Sequence, residues 1–270
     1  MVEQPPPTGT LVERALSRVP DLPHWVDTRG MLLSGRGIVR SRAGSDPARD
    51  PFLAVVPDAA LVSVVGAAND DDIRATVQSL AGDVNVLSQI EDAAGVARAL
   101  PGWTRQAAII HTLPRPMAWE SEPDPLTRVF TRETAPVFDH VPDTLRRELL
   151  DALDGRTVSR FVPGALPPRA ASAARINIPM AAVWADGRPV SFCYPVWQTE
   201  GWWDVSIETL DKYRGKGLAG AAARALIRHM RGAGRAPVWG ALESNAASRA
   251  LAARLGFREA ARIAVFTARP

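Results

Sequence analysis

The sequence holds a single cysteine, Cys193, in 270 residues. One thiol excludes a disulfide framework and a cysteine-built metal site, and it fits a reducing compartment. No apolar run reaches the roughly 18 residues that a membrane helix needs. Residues 1–10 are proline-rich and acidic rather than basic and apolar, so no signal peptide is expected and the cytoplasm is the expected location. Lysine is almost missing: Lys212 and Lys216 are the two lysines among 32 basic residues. Beside so much Ala and Pro, this skew points to a GC-rich genome rather than to arginine chemistry. Tyrosine is also scarce, 2 against 8 Trp. A net charge of +3 is too small to argue for nucleic acid. What is present is ordinary: 46% hydrophobic and 23% charged residues, a globular chain long enough for two domains.

Residues 1 to about 50 are rich in Pro, Gly and Arg, with one short helix expected over 11–19. Two apolar, β-branched runs at 52–56 and 60–65 read as strands. Asn69 followed by Asp70, Asp71 and Asp72 reads as a helix start, since carboxylates favour the positive end of a helix. Adjacent carboxylates do not converge on one ion, which sets a metal site aside. A strand at 84–87, a helix at 91–100 and a strand at 107–112 complete an N-terminal α/β region, residues 1–115. Prolines at 114, 116, 123 and 125 mark a boundary. A second region, 116–270, then shows a strand at 127–131, a helix at 143–153 and an irregular proline-rich stretch to 179. Strands at 180–184 and 190–197 flank Asp186-Gly187, the turn chemistry of a tight hairpin. A strand at 202–210, a helix at 217–230, a strand at 237–242, a helix at 246–255 and a strand at 261–267 follow. The expected fold class is α/β (α+β), a mixed and mostly antiparallel sheet with flanking helices.

One loop concentrates the chemistry. Between the strand and the helix stand Asp211, Lys212, Tyr213, Arg214, Gly215, Lys216 and Gly217. Glycines let backbone N–H groups turn into an opening, and the helix end adds positive potential. Such a loop suits a pyrophosphate. A Walker loop needs Ser or Thr after Gly-Lys, and Gly217 stands there instead. Gly215, Gly217 and Gly220 spell a dinucleotide motif, with Glu243 near where a ribose-binding acid belongs. Its first glycine should follow the strand directly, yet Asp211 to Arg214 intervene, and only 27 residues remain after Glu243.

Arg214-Gly215-Lys216-Gly217-Leu218-Ala219 fits R-x-x-G-x-A and resembles the acetyl-coenzyme A loop of the GCN5-related N-acetyltransferases, the GNAT superfamily. Glu243 to Ser248, leading to Leu255-Gly256-Phe257, is similar to that superfamily's second motif. Together with Ile207-Glu208-Thr209, the loop resembles a bacterial branch that includes antibiotic self-resistance acetyltransferases. The resemblance spans about residues 180–257, and it leaves 1–115 as a region without cofactor signature, for which a degenerate GNAT-like half is one reading.

The resemblance implies an N-acetyltransferase with acetyl-CoA as cofactor and a small-molecule amine as partner, without nucleic acid or membrane. It implies that the amides of Arg214, Gly215, Lys216, Gly217, Leu218 and Ala219 hold the pyrophosphate. It further implies that the strand with Ile207, Thr209 and Leu210 pairs with the pantetheine arm, near Asn245 and Ser248. Glu208 is the candidate base, with Asp204 on the same strand face in reserve. The tyrosine acid common in the family falls at Ala252, so the usual acid is absent. A non-catalytic acyl-CoA-binding module and a dinucleotide oxidoreductase are the alternatives.

Overall fold

The computed structural model describes residues 9–113, 117–121, 125–154 and 178–268. Thr10 begins α1 (Leu11–Arg18) through a reciprocal capping box with Glu13. Then come α2 (Val26–Leu33), β1 (Ile38–Arg40), β2 (Phe52–Val56) and β3 (Leu61–Val65). Asn69 caps α3 (Asp70–Gln78), its side chain accepting from the Asp71 amide at 2.9 Å. β4 (Asn85–Gln89), α4 (Ala93–Ala99) and β5 (Thr104–Thr112) follow. Beyond them lie β6 (Thr127–Phe130), α5 (Asp143–Leu153), β7 (Met180–Ala185) and β8 (Arg188–Gln198). The chain finishes with β9 (Trp202–Thr209), α6 (Leu218–Gly232), β10 (Ala236–Leu242), α7 (Ala246–Leu255) and β11 (Arg258–Thr267).

Most expected elements form within a few residues of their expected ends. The β7–β8 turn has φ of +50° at Asp186 and +74° at Gly187, the primed geometry that suits strand twist. Two elements were not anticipated. β1 is short, and α2 has a near-uniform apolar distribution and a glycine at 30, so no stripe marks it. Residues 114–116 and 122–124 of the expected boundary, and 155–177 of the irregular stretch, lie outside the described residues.

The strands of the described residues join one sheet, in the order β1-β2-β3-β4-β11-β5-β10-β9-β8-β7-β6. β3 with β4 and β9 with β10 are parallel, and the other pairings are antiparallel. The chain runs through the same path twice: β2-β3-α3-β4-α4-β5, then β8-β9-α6-β10-α7-β11. The final strands of the two passes are exchanged. β11 pairs with β4 over Ile263↔Gln89 to Thr267↔Asn85, while β5 pairs with β10 over Thr112↔Val238 to Ala108↔Leu242. β5 therefore lies deep inside the shared sheet, between β11 and β10.

α6 covers one face of β7–β10, packing Ala222, Leu226 and Met230 on Cys193, Trp203, Val205 and Trp239. On the other face α5 lays Leu149, Ala152 and Leu153 over Met180, Phe192 and Tyr194. Each such buried side chain contributes about 1.5–3 kcal/mol. α2 lies on this second face too, so close that a Cβ on Gly30 would stand 2.7 Å from the Trp197 Cβ. Glycine is required there by proximity, not by φ. Alternation along β9 then turns Asp204, Ser206 and Glu208 away from α6, toward the side of α2 and α5.

Candidate active site

β9 and β10 run side by side only at their starts. They pair at Ala236↔Trp202, Pro237↔Trp203 and Val238↔Asp204, and no further. From there β10 stays with β5 and β9 stays with β8, out to Leu242↔Ala108 and Ser191↔Thr209. Two parallel strands held by different neighbours must part. They leave a notch in which, among the described residues, no strand pairs with that edge of β9 beyond Asp204, the kind of edge an extended ligand pairs with.

Asp204 sits at the apex. Its carboxylate accepts the backbone N–H groups of Gly240 and Val205, replacing the ladder bonds lost where the strands separate. Asp27, brought by α2, faces it. Burial raises Asp27, and burial with the Asp27 charge raises Asp204, against the lowering effect of the two amides. Asp204 keeps some solvent access, yet protein surrounds it closely enough to penalise charge.

At the open end, Glu208 is half-buried. Burial pushes its carboxyl up, Glu148 and Asp211 add to that, and Arg214 opposes it. Ile207 points to the α6 side and packs against that core. The Thr209 hydroxyl bonds Ser191 at 2.7 Å, and the Leu210 amide donates to the Val190 carbonyl at 3.0 Å. These bonds hold the strand end to β8.

The loop after β9 is fastened from below. Tyr213 is buried, and its hydroxyl donates to Asp186 of the β7–β8 turn at 2.6 Å. Lys216 lies over the Tyr213 ring at 5.2 Å, and Lys212 reaches Asp186 at 3.9 Å. Arg214 is exposed, donating to the Thr209 carbonyl at 3.2 Å and pairing with Asp211 at 3.1 Å. Gly215 and Gly217 have φ of +75° and +79°, and a Cβ at either would meet nothing within 4 Å. Gly217 starts α6 without any side-chain cap, ahead of half-buried Leu218 and Ala219. A capless helix start with an open, glycine-lined approach is a site for an anion.

On the β10 side, Asn245 caps α7, accepting from the Ser248 amide at 3.0 Å. The Ser248 hydroxyl receives the Trp239 indole N–H at 2.9 Å. Ala252 is fully buried in the α6 core, so no hydroxyl acid is available at that place. Cys193 is also buried, and burial pushes its thiol up, which disarms it as a nucleophile. Sequence reasoning missed Tyr213 as the loop's anchor, and it missed Glu148 and Asp27 altogether. The Asp186-Gly187 turn was visible, but its contact with the loop was not.

The first pass of the chain lacks this arrangement. β3 and β4 stay paired from Leu61↔Asn85 to Val64↔Ser88, and the start of α3 is capped by Asn69 and acidic. A cavity of about 650 Å³ opens over that helix start. Its arginines are engaged: Arg98 with Asp70 and Arg42 with Asp72, each at 3.0 Å, and Arg40 with Ser79 at 2.9 Å. Glu243, the ribose-binding acid of the dinucleotide alternative, instead pairs with Arg262 of β11 at 2.9 Å.

Comparison with known proteins agrees with this geometry. The GNAT acetyltransferase family model matches residues 181–266. A search of the curated proteins finds no match. Among solved structures, the GCN5-related N-acetyltransferase-like protein of Streptococcus suis 89/1591 superposes with a TM-score of 0.65 at 15% identity, over 96% of this chain and 98% of that one. A GNAT-family acetyltransferase from Colwellia psychrerythraea gives 0.55 at 13% identity, over 96% and 94%. A tandem GNAT protein from the clavulanic acid biosynthesis pathway gives 0.55 at 14%, also over 96% and 94%. Residues 181–266 thus match the GNAT acetyltransferase family model, and the chain as a whole has the fold of the GNAT structures on which it superposes.

Proposed function

We propose that the protein is an acetyl-CoA-dependent N-acetyltransferase that acylates a primary amine of a small molecule by direct attack in a ternary complex. The observation that carries this is the parting of β9 and β10 beyond Val238↔Asp204, directly before the glycine-lined start of α6. The residues present fit the cofactor: the helix start has no side-chain cap, and both loop glycines leave room for close approach. The amides of Gly215, Lys216, Gly217, Leu218 and Ala219 would hold the pyrophosphate, with Arg214 and Lys216 adding charge. The free edge of β9 from Ser206 to Leu210 would pair with the pantetheine arm. When bound, acetyl-CoA supplies an acyl group at a thioester, whose transfer to an amine frees a thiol.

Glu208 takes the proton from the acceptor's ammonium group, directly or through a water, so that the nitrogen lone pair becomes available. A raised carboxyl suits that task better than an ordinary one, since it holds the proton more firmly. Asp204, committed to the Gly240 and Val205 amides, holds the apex of the notch open. A non-catalytic acyl-CoA-binding module would instead bury Glu208 in the core, and Glu208 keeps part of its surface open to solvent. The test is thiol release from acetyl-CoA with a panel of primary amines. Turnover with any of them supports the transferase. Stoichiometric coenzyme A binding without thiol release from any amine would leave the binding module. No helix among the described residues is long and apolar enough to cross a membrane.

A further inference from the structure

The face of β8 and β9 beneath α5 carries a second line of polar groups that coenzyme binding does not use. Tyr194 is 1% exposed, and its hydroxyl donates to the carboxylate of Glu148 on α5. Ser206, directly across the strands from Tyr194, bonds the same phenol oxygen. Glu208 is the next residue on that face of β9, opposite Phe192 and one step nearer the loop. Neighbours on one strand face are about 7 Å apart. The phenol therefore fixes an exposed, charged side chain of α5 beside the candidate base, across the mouth of the cleft.

We propose that Glu148, anchored by Tyr194, is a positioning residue for the acetyl transfer: its charge draws a cationic acceptor amine toward Glu208 and helps Glu208 keep the proton it removes. The inference rests on the transferase reading above. The groups that face Glu208 are Glu148 from α5, Asp211 and Arg214 from the loop, Tyr194 from β8, and Asp204 farther along its own strand. Arg214 is the one cation in that set, and Asp211 pairs with it at 3.1 Å. Among the described residues this set is net negative, which selects acceptors that arrive as ammonium ions over neutral amines or acidic ones. An apolar site would have favoured the neutral form.

A purely structural tie would need only a hydrogen-bond acceptor for Tyr194, and the amide of Glu148→Gln still provides one. The variant therefore removes charge and keeps the tie, while Glu148→Asp keeps charge. Two readouts on the full chain separate the roles. The Glu208 carboxyl is titrated by carbon NMR without substrate, and kcat and KM are measured against pH with the amine that turns over best. In Glu148→Gln the Glu208 midpoint should move to lower pH and the acidic limb of kcat/KM should follow it. KM for the amine should rise roughly threefold, the scale of one exposed charge contact. Affinity for acetyl-CoA should stay unchanged, and Glu148→Asp should restore most of both effects. An unmoved Glu208 midpoint, or a Glu148→Gln enzyme with the wild-type pH profile and KM, overturns the inference while leaving the transferase standing. Absence of thiol release by the wild type with every amine is a different result, and it fails the transferase reading together with what rests on it.

Discussion

Gly217→Asp separates coenzyme binding from folding with opposite signs. In the free protein a Cβ at position 217 meets nothing within 4 Å and the position is exposed, so the main cost is conformational. A left-handed backbone costs an ordinary residue about 1–2 kcal/mol, and Asp tolerates it better than most. A carboxylate at the start of a helix recovers about 0.3–1 kcal/mol. The net change is then under about 1 kcal/mol, or a Tm shift within about 2–4 °C for a chain of this size. Binding fares otherwise. A carboxylate about 4 Å from one phosphate charge, at an effective dielectric near 20, costs about 4 kcal/mol, close to three decades of Kd. Position 217 is exposed, so salt reduces this, and a loss of at least about a hundredfold is expected. Calorimetry with coenzyme A reads the loss, thermal unfolding reads the fold, and a pantetheine fragment that never reaches the loop should bind as it does to wild type. Gly217→Ala supplies the same backbone strain without charge and should lose far less affinity. Wild-type coenzyme A affinity in a folded Gly217→Asp protein would refute the reasoning, because the pyrophosphate would then lie elsewhere.

Arg214→Ala should weaken coenzyme A binding by roughly tenfold, the low end for a charge-assisted bond, since the side chain is exposed and already shared with Asp211. The deficit should shrink at high salt, and titration at two ionic strengths checks this. Glu208→Gln should lower turnover by ~10²–10⁴ with acetyl-CoA affinity intact. Because burial raises Glu208, wild-type kcat/KM should fall as pH drops through that raised value, and this limb should vanish in the variant. Wild-type turnover across pH 6–9 would remove Glu208 from the mechanism. Asp27→Asn tests the apex pair. A carboxyl raised by folding favours the fold below its unfolded pKa, and that favour is lost as pH climbs through the folded value. The variant should thus gain about 2–4 °C in Tm at pH 7.5, about 1 kcal/mol, and almost nothing at pH 4. A lower Tm at pH 7.5 would mean that Asp27 makes a stabilising contact instead.

The loop from Asp211 to Ala219 was legible because its signals are local. Glycine at 215 and 217 is needed for positive φ, and the helix it starts is amphipathic. The Asn69 and Asn245 caps, the Asp186-Gly187 turn and the apolar runs of β2 and β3 are legible on the same ground: each depends on residues within one turn or one strand. Glu208 could be nominated from its place before the loop, but its raised carboxyl could not, because that depends on burial and on Glu148 some sixty residues earlier.

The sequence by itself determined where most helices and strands begin and end, and which loop offers backbone donors to an anion. Tertiary structure alone decided that β11 and β5 exchange places, that β9 and β10 part, and that α2 and α5 deliver Asp27 and Glu148 to the parted strands. The physical reason is range. Propensity, capping and turn chemistry act between neighbours in the chain, and so they leave marks in composition and spacing. Strand order and helix docking are chosen by which apolar faces fit together across hundreds of residues, and many sequences with the same local pattern would permit a different choice. Side chains such as Asp27 carry no mark of their partner, because the partner is set by that packing alone.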